Sequence, residues 1–247
     1  MTGKDHMPDG DFLGKEEAVF LKLDQISFSY SGKKSAVLSG VSLSFSRKGI
    51  TAIIGPNGCG KTTLTKLMVG ILSPIDGAIT LEGRSLQEYT LAQIGRRIGY
   101  VFQNPNHQLF CSTVAEEIGF GLTSRGEEPE AIRERVDFFL DYFDLLSYRD
   151  QFPLHLSYGE KQRLAIAAVL AGAPGFLILD EPTVGLDAYR KKLLLNQLYK
   201  VAAMGGGMVI VSHDRDLVEQ AAGRIITLEN GRVKQDSGWK GENGHAS

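Results

Sequence analysis

The sequence predicts an α/β fold in which a parallel sheet carries a phosphate-binding loop, with an antiparallel β-layer ahead of it and a helical segment inserted into it. Three observations lead there. The apolar run Ile50, Ala52, Ile53, Ile54 enters Gly55-Pro56-Asn57-Gly58-Cys59-Gly60-Lys61-Thr62-Thr63 and then the helical-looking Leu64 to Met68. Strand, glycine loop and helix start therefore follow one another, the order that a phosphate cradle requires. A second apolar run, Phe176-Leu177-Ile178-Leu179, ends on Asp180, as a buried parallel strand with an acid at its carboxyl end does. Between the two, from Thr113 to about Leu146, the texture is helical, and Pro129 opens a segment whose apolar residues recur at helical spacing.

In chain order, residues 1–17 are polar and acidic and read as a flexible lead-in rather than a secretory signal, because no basic start precedes an apolar core. Val19 to Tyr30 and Val37 to Phe45 alternate apolar and polar residues, which predicts the antiparallel layer. The helix after the loop ends near Gly70, Ser73 to Gly77 form a turn, and Ala78 to Leu81 a strand. Ile98 to Phe102 form a short buried strand ending at Gln103. Residues from about 104 to 172 form the helical insertion. After the strand at 176–180 come a helix from Ala188 to Met204, a glycine turn at 205–207, a strand Met208 to Val211, a further helix and the strand Arg224 to Leu228. The domain is expected to span 18–235, with 236–247 as a flexible, Gly-rich and polar tail.

With 247 residues, the chain has room for one large α/β domain with an inserted subdomain. A net charge of −2 gives no general attraction to nucleic acid or anionic lipid, and no nucleic-acid partner is expected. Leu164 to Leu179 is the most apolar stretch, but Gly172, Pro174 and Gly175 break it, and it falls short of the ~20 residues of a membrane span. If the protein works at a membrane, other chains carry it there. The two cysteines, Cys59 and Cys111, fit a reducing compartment better than a disulfide framework.

The glycine loop predicts a nucleoside triphosphate: small residues let backbone N–H groups converge on phosphate oxygens, Lys61 reaches the β- and γ-phosphates, and Thr62 ligates Mg²⁺. Hydrolysis needs more. Asp180 at its strand end suits the metal, and Glu181 beside it suits a general base that activates water. Gln103 at another strand end can reach metal or water, and His213 after Val209-Ile210-Val211-Ser212 can donate to the γ-phosphate. Tyr30 is placed to stack on a base. Leu156-Ser157-Tyr158-Gly159-Glu160 starts a helix whose tip, with Ser157 as cap and Gly159 allowing close approach, makes a second anion site. One nucleotide seldom needs two such helix tips, whereas two chains placed head to tail do.

With these motifs in their order, the chain resembles an ATP-binding cassette (ABC) ATPase over about Val19 to Val233. The resemblance implies a P-loop, RecA-like core and cofactors ATP and Mg²⁺. It matches Tyr30 to the adenine platform, and Gly55 to Thr63 to Walker A, with Gly55, Asn57, Gly58, Gly60, Lys61, Thr62 and Thr63 as nucleotide contacts. Gln103 matches the Q-loop, Leu156 to Glu160 the signature with contacts at Ser157 and Gly159, and Phe176 to Asp180 Walker B. Glu181 matches the catalytic glutamate, Val184 to Asp187 the D-loop and His213 the switch histidine; Thr62, Gln103 and Asp180 would serve the metal. The segment Tyr100 to Phe110 with Thr113 to Gly121 is similar to energy-coupling-factor (ECF) importers and related cobalt and nickel cassettes. That similarity implies a homodimer or a pair with a sister cassette, docked at the cytoplasmic face of the membrane on a transmembrane T component and a substrate-binding membrane subunit. Leu109 and Phe110 would be apolar anchors in the groove that grips the T component. An ATPase of another ABC transporter class, or a soluble ABC ATPase, remains the alternative.

Two signature positions depart from the common Leu-Ser-Gly-Gly-Gln: Tyr158 replaces a glycine and Glu160 the glutamine. Asn106-His107 stand where related chains are often acidic. Cys59 lies inside the phosphate loop, so alkylation blocked by Mg-ATP is expected.

Overall fold

The computed structural model describes residues 19–32, 35–203 and 205–239. The lead-in at 1–17 and the final residues 240–247 lie outside them. Ten strands and seven α-helices form two sheets and a helical subdomain among the described residues.

The antiparallel sheet has the order β2-β1-β4-β5, from β1 (Val19–Phe28), β2 (Leu38–Ser46), β4 (Asp76–Leu81) and β5 (Arg84–Ser85). The alternation in β1 breaks at Gln25, whose φ of 52° marks an irregularity in pairing between Leu23 and Ile26. The second sheet runs β10-β9-β3-β8-β7-β6, from β3 (Ile50–Ile54), β6 (Ile98–Val101), β7 (Phe176–Asp180), β8 (Gly207–Val211), β9 (Arg224–Glu229) and β10 (Arg232–Asp236). Its strands are parallel apart from β10, which pairs antiparallel with β9.

The central strands are almost wholly apolar, with Thr51 in β3 and Asp180 at the end of β7 as exceptions, because each faces two cores. Phe176 and Ile178 of β7, with Val209 and Val211 of β8, pack toward the antiparallel sheet and the helix α1 (Lys61–Met68). Leu177 and Leu179, with Met208 and Ile210, pack toward the helical subdomain. A period of two thus divides one strand between two layers. Full burial of each such side chain contributes roughly 1.5–3 kcal/mol.

The subdomain comprises α3 (Val114–Thr123), α4 (Pro129–Tyr142) and α5 (Tyr158–Ala171), placed between β6 and β7. Ile118, Leu122, Phe139, Leu140, Leu164 and Ala167 meet in its core. The remaining helices are α2 (Leu91–Gly95), α6 (Ala188–Ala203) and α7 (Arg215–Ala221).

The C-terminal boundary differs from the expected one. Asp236, assigned to the tail by sequence, closes β10 and pairs with Arg224. Ser237 N–H donates to the Ile225 carbonyl at 2.9 Å, and the Trp239 ring lies against Gly49 and Gly223.

Candidate nucleotide site

Four adjacent parallel strands, β3, β8, β7 and β6, end on one edge of the sheet, and each delivers a predicted site residue. After β3 the chain turns through Gly55 to Gly60 into α1; after β8 come Ser212 and His213; β7 ends in Asp180 and continues to Glu181; β6 leads to Gln103. Carboxyl edges of parallel strands are where ligands bind, because the loops there can vary without disturbing the sheet.

An open cleft of about 810 Å³ results, lined by Tyr30, Asn57, Gly58, Gly60, Lys61, Thr62, Thr63, Gln103, Asp180, Glu181 and His213. That size matches the upper range of small-molecule sites, ~300–1,000 Å³. The sequence did not mark Val37, Thr183, Lys191 and Asp214, which also line it. Gly55 stands behind the cleft: a Cβ there would meet the Leu228 carbonyl oxygen at 2.0 Å.

The start of α1 is built for an anion. Thr90, Thr113, Ser157 and Asp214 cap α2, α3, α5 and α7 with their side chains, but the cap position of α1 is Gly60, which has none and adopts a φ of 106°. The first amides of α1 therefore stay open for phosphate oxygens. Lys61, 7% exposed, donates to the Gly55 and Pro56 carbonyls at 2.8 and 3.0 Å, which holds its ammonium at the mouth of the loop. The Tyr30 hydroxyl lies 3.2 Å from Thr63 Oγ1, and the residue, 37% exposed, borders the cleft.

Asp180 is 1% exposed, and its Oδ1 has no hydrogen-bond partner in the protein. Its Oδ2 accepts from Tyr100 Oη at 3.4 Å, and Tyr100 Oη lies 3.1 Å from Thr65 Oγ1. Burial raises the Asp180 pKa above the ordinary range, against the Thr62 and Tyr100 hydroxyls and Lys61, which lower it. A buried carboxylate oxygen with no partner is costly unless a cation takes it. Among the described residues no group of three or more His, Cys, Asp or Glu could hold a metal. Mg²⁺ takes one or two protein oxygens and fills its shell with phosphate and water. Asp180, Thr62 and Gln103 are the residues at hand to hold it.

Glu181 is 7% exposed with φ 50°, a left-handed conformation that costs a non-glycine residue roughly 1–2 kcal/mol. Its N–H donates to the Val211 carbonyl at 2.8 Å, and its Oε2 accepts from His213 N–H at 3.2 Å. The His213 Nε2 lies 3.1 Å from Glu181 Oε1. Burial raises the Glu181 pKa, opposed by His213 and Lys61 and assisted by Asp180.

Ser157 and Gly159 do not join this cleft. Ser157 caps α5, and Gly159 packs near Leu186 and Arg190; neither lines the cleft. Leu109, expected as a groove anchor, is 5% exposed in the subdomain core, whereas Phe110 is 64% exposed and meets Phe120 edge-to-face at 4.8 Å. Cys59 is 6% exposed with its side chain in the core under the loop, so alkylation requires the loop to open first.

Residues 38–184 match the ABC transporter family model. The chain belongs to this family. It is an ATP-binding cassette ATPase whose cofactors are ATP and Mg²⁺ and whose hydrolysis is coupled to transport. An ABC transporter ATP-binding protein of Pyrococcus furiosus is 44% identical over 80% of this chain and 76% of its own. A longer relative from Methanosarcina acetivorans, 37% identical, matches 79% of this chain over 32% of its own. Among solved structures, cbiO1 of Clostridium perfringens, part of the ABC transporter complex cbiONQ, is 34% identical with a TM-score of 0.76, covering 89% of this chain and 88% of that one. The dimeric cassette MJ0796 is 26% identical with a TM-score of 0.80, over 87% and 97%. A post-hydrolysis MJ0796 dimer bound to ADP and Pi has 25% identity and a TM-score of 0.79, over 87% and 97%. No helix among the described residues of this ABC cassette is long and apolar enough to cross a membrane.

Proposed function

We propose that this cassette energises an ECF-type importer of a vitamin or transition-metal ion, as a head-to-tail homodimer or beside a sister cassette at the cytoplasmic face of the membrane. A transmembrane T component and a substrate-binding membrane subunit complete the assembly. One observation carries the paired arrangement: every predicted hydrolysis residue converges on one cleft, yet the α5 tip with Ser157 and Gly159 stands outside it. A second chain facing the first would bring that tip to the open side of the nucleotide. The likeness to cbiO1 and the exposed Phe110–Phe120 pair on the subdomain support the importer class.

In this reading Tyr30 stacks on the base, and Gly58, Gly60 and the first amides of α1 hold the phosphates. Lys61 and His213 steady the γ-phosphate, while Thr62, Gln103 and Asp180 hold the metal. Mg²⁺, when bound, neutralises the charge on the phosphate oxygens. Glu181, fixed by His213 N–H and by its own N–H to Val211, accepts the proton of the attacking water. Its raised pKa brings its basicity nearer neutrality, which suits a general base.

Glu181→Gln is expected to abolish turnover by roughly 10²–10⁴ and to trap an ATP-bound dimer visible by light scattering. Normal turnover removes the general-base role. A variant that stays single with saturating Mg-ATP, even with membrane subunits supplied, refutes the paired arrangement. Co-purification with an exporter's membrane domain refutes the importer class.

A further inference from the structure

Tyr158, where a glycine is common, touches two walls of the nucleotide cleft from behind. Its hydroxyl donates to the Gln103 carbonyl at 2.8 Å. Its ring lies on Gly185, where a Cβ would meet Cδ1 at 2.7 Å; Gly185 has φ +76° and lines the cleft with Val184 and Leu186. Burial raises the Tyr158 phenol pKa, so the hydroxyl stays a donor at neutral pH.

Two more contacts run along the same stripe of α5. Lys161 Nζ donates to Asn106 Oδ1 at 3.0 Å, and the Ala165 carbonyl accepts from Gln108 Nε2 at 3.3 Å. Positions 158, 161 and 165 share one helix face, so the segment after β6 is laced to α5 over two turns. Of these contacts, only that of Tyr158 reaches a residue that itself lines the cleft.

We propose that Tyr158 is a positioning residue that ties the tip of α5 to the Gln103 backbone and to the turn at Gly185, so that the tip's orientation follows the state of the cleft in its own chain. In the paired reading that tip serves the partner's nucleotide, and Tyr158 then transmits between the two sites. The intrachain tie itself does not depend on pairing.

Tyr158→Phe removes only the hydroxyl. In the full-length protein without nucleotide it is expected to speed amide hydrogen exchange over residues 102–108, with the melting temperature nearly unchanged. In steady-state hydrolysis kcat falls about threefold to tenfold, as loss of one oriented hydrogen bond predicts, while KM for ATP stays within about twofold. Tyr158→Gly, which also removes the ring from Gly185, lowers kcat further and speeds exchange at 184–187 as well. Unchanged exchange in Tyr158→Phe overturns the tie. Faster exchange with unchanged kcat overturns the positioning role, and so does a loss that falls equally on KM. The exchange result stands apart from the pairing test with Glu181→Gln, so failure of one is distinguishable from failure of the other.

Discussion

Gly55→Ala separates two reasons for a glycine that the loop motif alone runs together. Gly55 has φ +151°, outside the range of L side chains, and its Cβ would stand 2.0 Å from the Leu228 carbonyl oxygen and 2.9 Å from Cys59 Sγ. The carbonyl belongs to β9, which pairs with β3, so no rotamer change relieves the clash. Backbone strain of about 1–3 kcal/mol adds to overpacking of about 1–3 kcal/mol, giving about 2–6 kcal/mol. Against a total stability of roughly 5–15 kcal/mol this is a large fraction. Gly58 supplies the control: its φ is +78°, but nothing lies within 4 Å of a Cβ, so Gly58→Ala pays only the left-handed cost of about 1–2 kcal/mol. Urea unfolding without nucleotide measures both, followed by fluorescence of the single tryptophan, Trp239, which packs on Gly49 and Gly223. The midpoint of Gly55→Ala is expected well below that of Gly58→Ala at unchanged slope. Equal midpoints would refute the close-approach argument.

Tyr100→Phe removes the bond to Asp180 Oδ2 and is expected to raise the Mg²⁺ concentration for half-maximal hydrolysis a few-fold; an unchanged Mg²⁺ titration rejects that role. Asp214 bonds Lys191 Nζ at 2.7 Å, and this bond, ahead of the Leu217 N–H, outweighs burial and holds its pKa below the ordinary range. A lowered folded pKa stabilises above the unfolded value of about 3.9, and that stability is lost as pH falls through the folded value. Asp214→Asn keeps the cap on α7 but loses the charge, so it should cost under about 1 kcal/mol at pH 7, since Lys191 is 41% exposed and solvent screens the pair. The difference should shrink below about pH 4 in urea unfolding; a difference constant from pH 7 to 3 contradicts the assignment.

What the sequence made legible follows from how each element is stabilised. Strands β3 and β7 announce themselves because both faces are buried and the runs are apolar except for Thr51 in β3 and the closing Asp180 of β7. Gln103, Asp180, Glu181 and His213 can be placed at one edge from sequence because each lies at or just beyond the end of an apolar strand, and parallel strands aim their carboxyl ends at one edge. Strand β10 has the sequence Arg-Val-Lys-Gln-Asp, with one apolar residue; pairing with β9 and the Arg224–Asp236 contact hold it, and neither leaves a periodic signal. Helix α2 is five residues long, too short for periodicity, although its capping box of Thr90 and Gln93 was there to read. Tyr100 escaped notice as a site residue because a tyrosine in a buried strand reads as core until its hydroxyl is seen between Thr65 and Asp180. Leu109 and Phe110, adjacent in sequence, divide between core and surface, which no composition argument resolves.

Glu160 shows why a departure from the signature pattern need not cost the helix anything. Its Oε2 accepts from Ser157 N–H at 2.7 Å, its own N–H reaches Ser157 Oγ at 3.4 Å, and Tyr148 Oη donates to its Oε1 at 2.8 Å. Burial pushes the carboxyl pKa up, but the bonds from Ser157 and Tyr148 together outweigh it, so the group is ionised at neutral pH. A glutamine could close the same capping box without charge. The glutamate adds roughly 0.3–1 kcal/mol from the positive end of the α5 dipole. The same charge opposes an incoming anion at that tip, so helix stability and phosphate affinity pull in opposite directions at this one position. Because both Glu160 oxygens are turned back onto Ser157 and Tyr148, the opposition is blunted. The 3.4 Å contact uses a lone pair of Ser157 Oγ as acceptor from Glu160 N–H, so the cap and the hydroxyl's own proton do not compete.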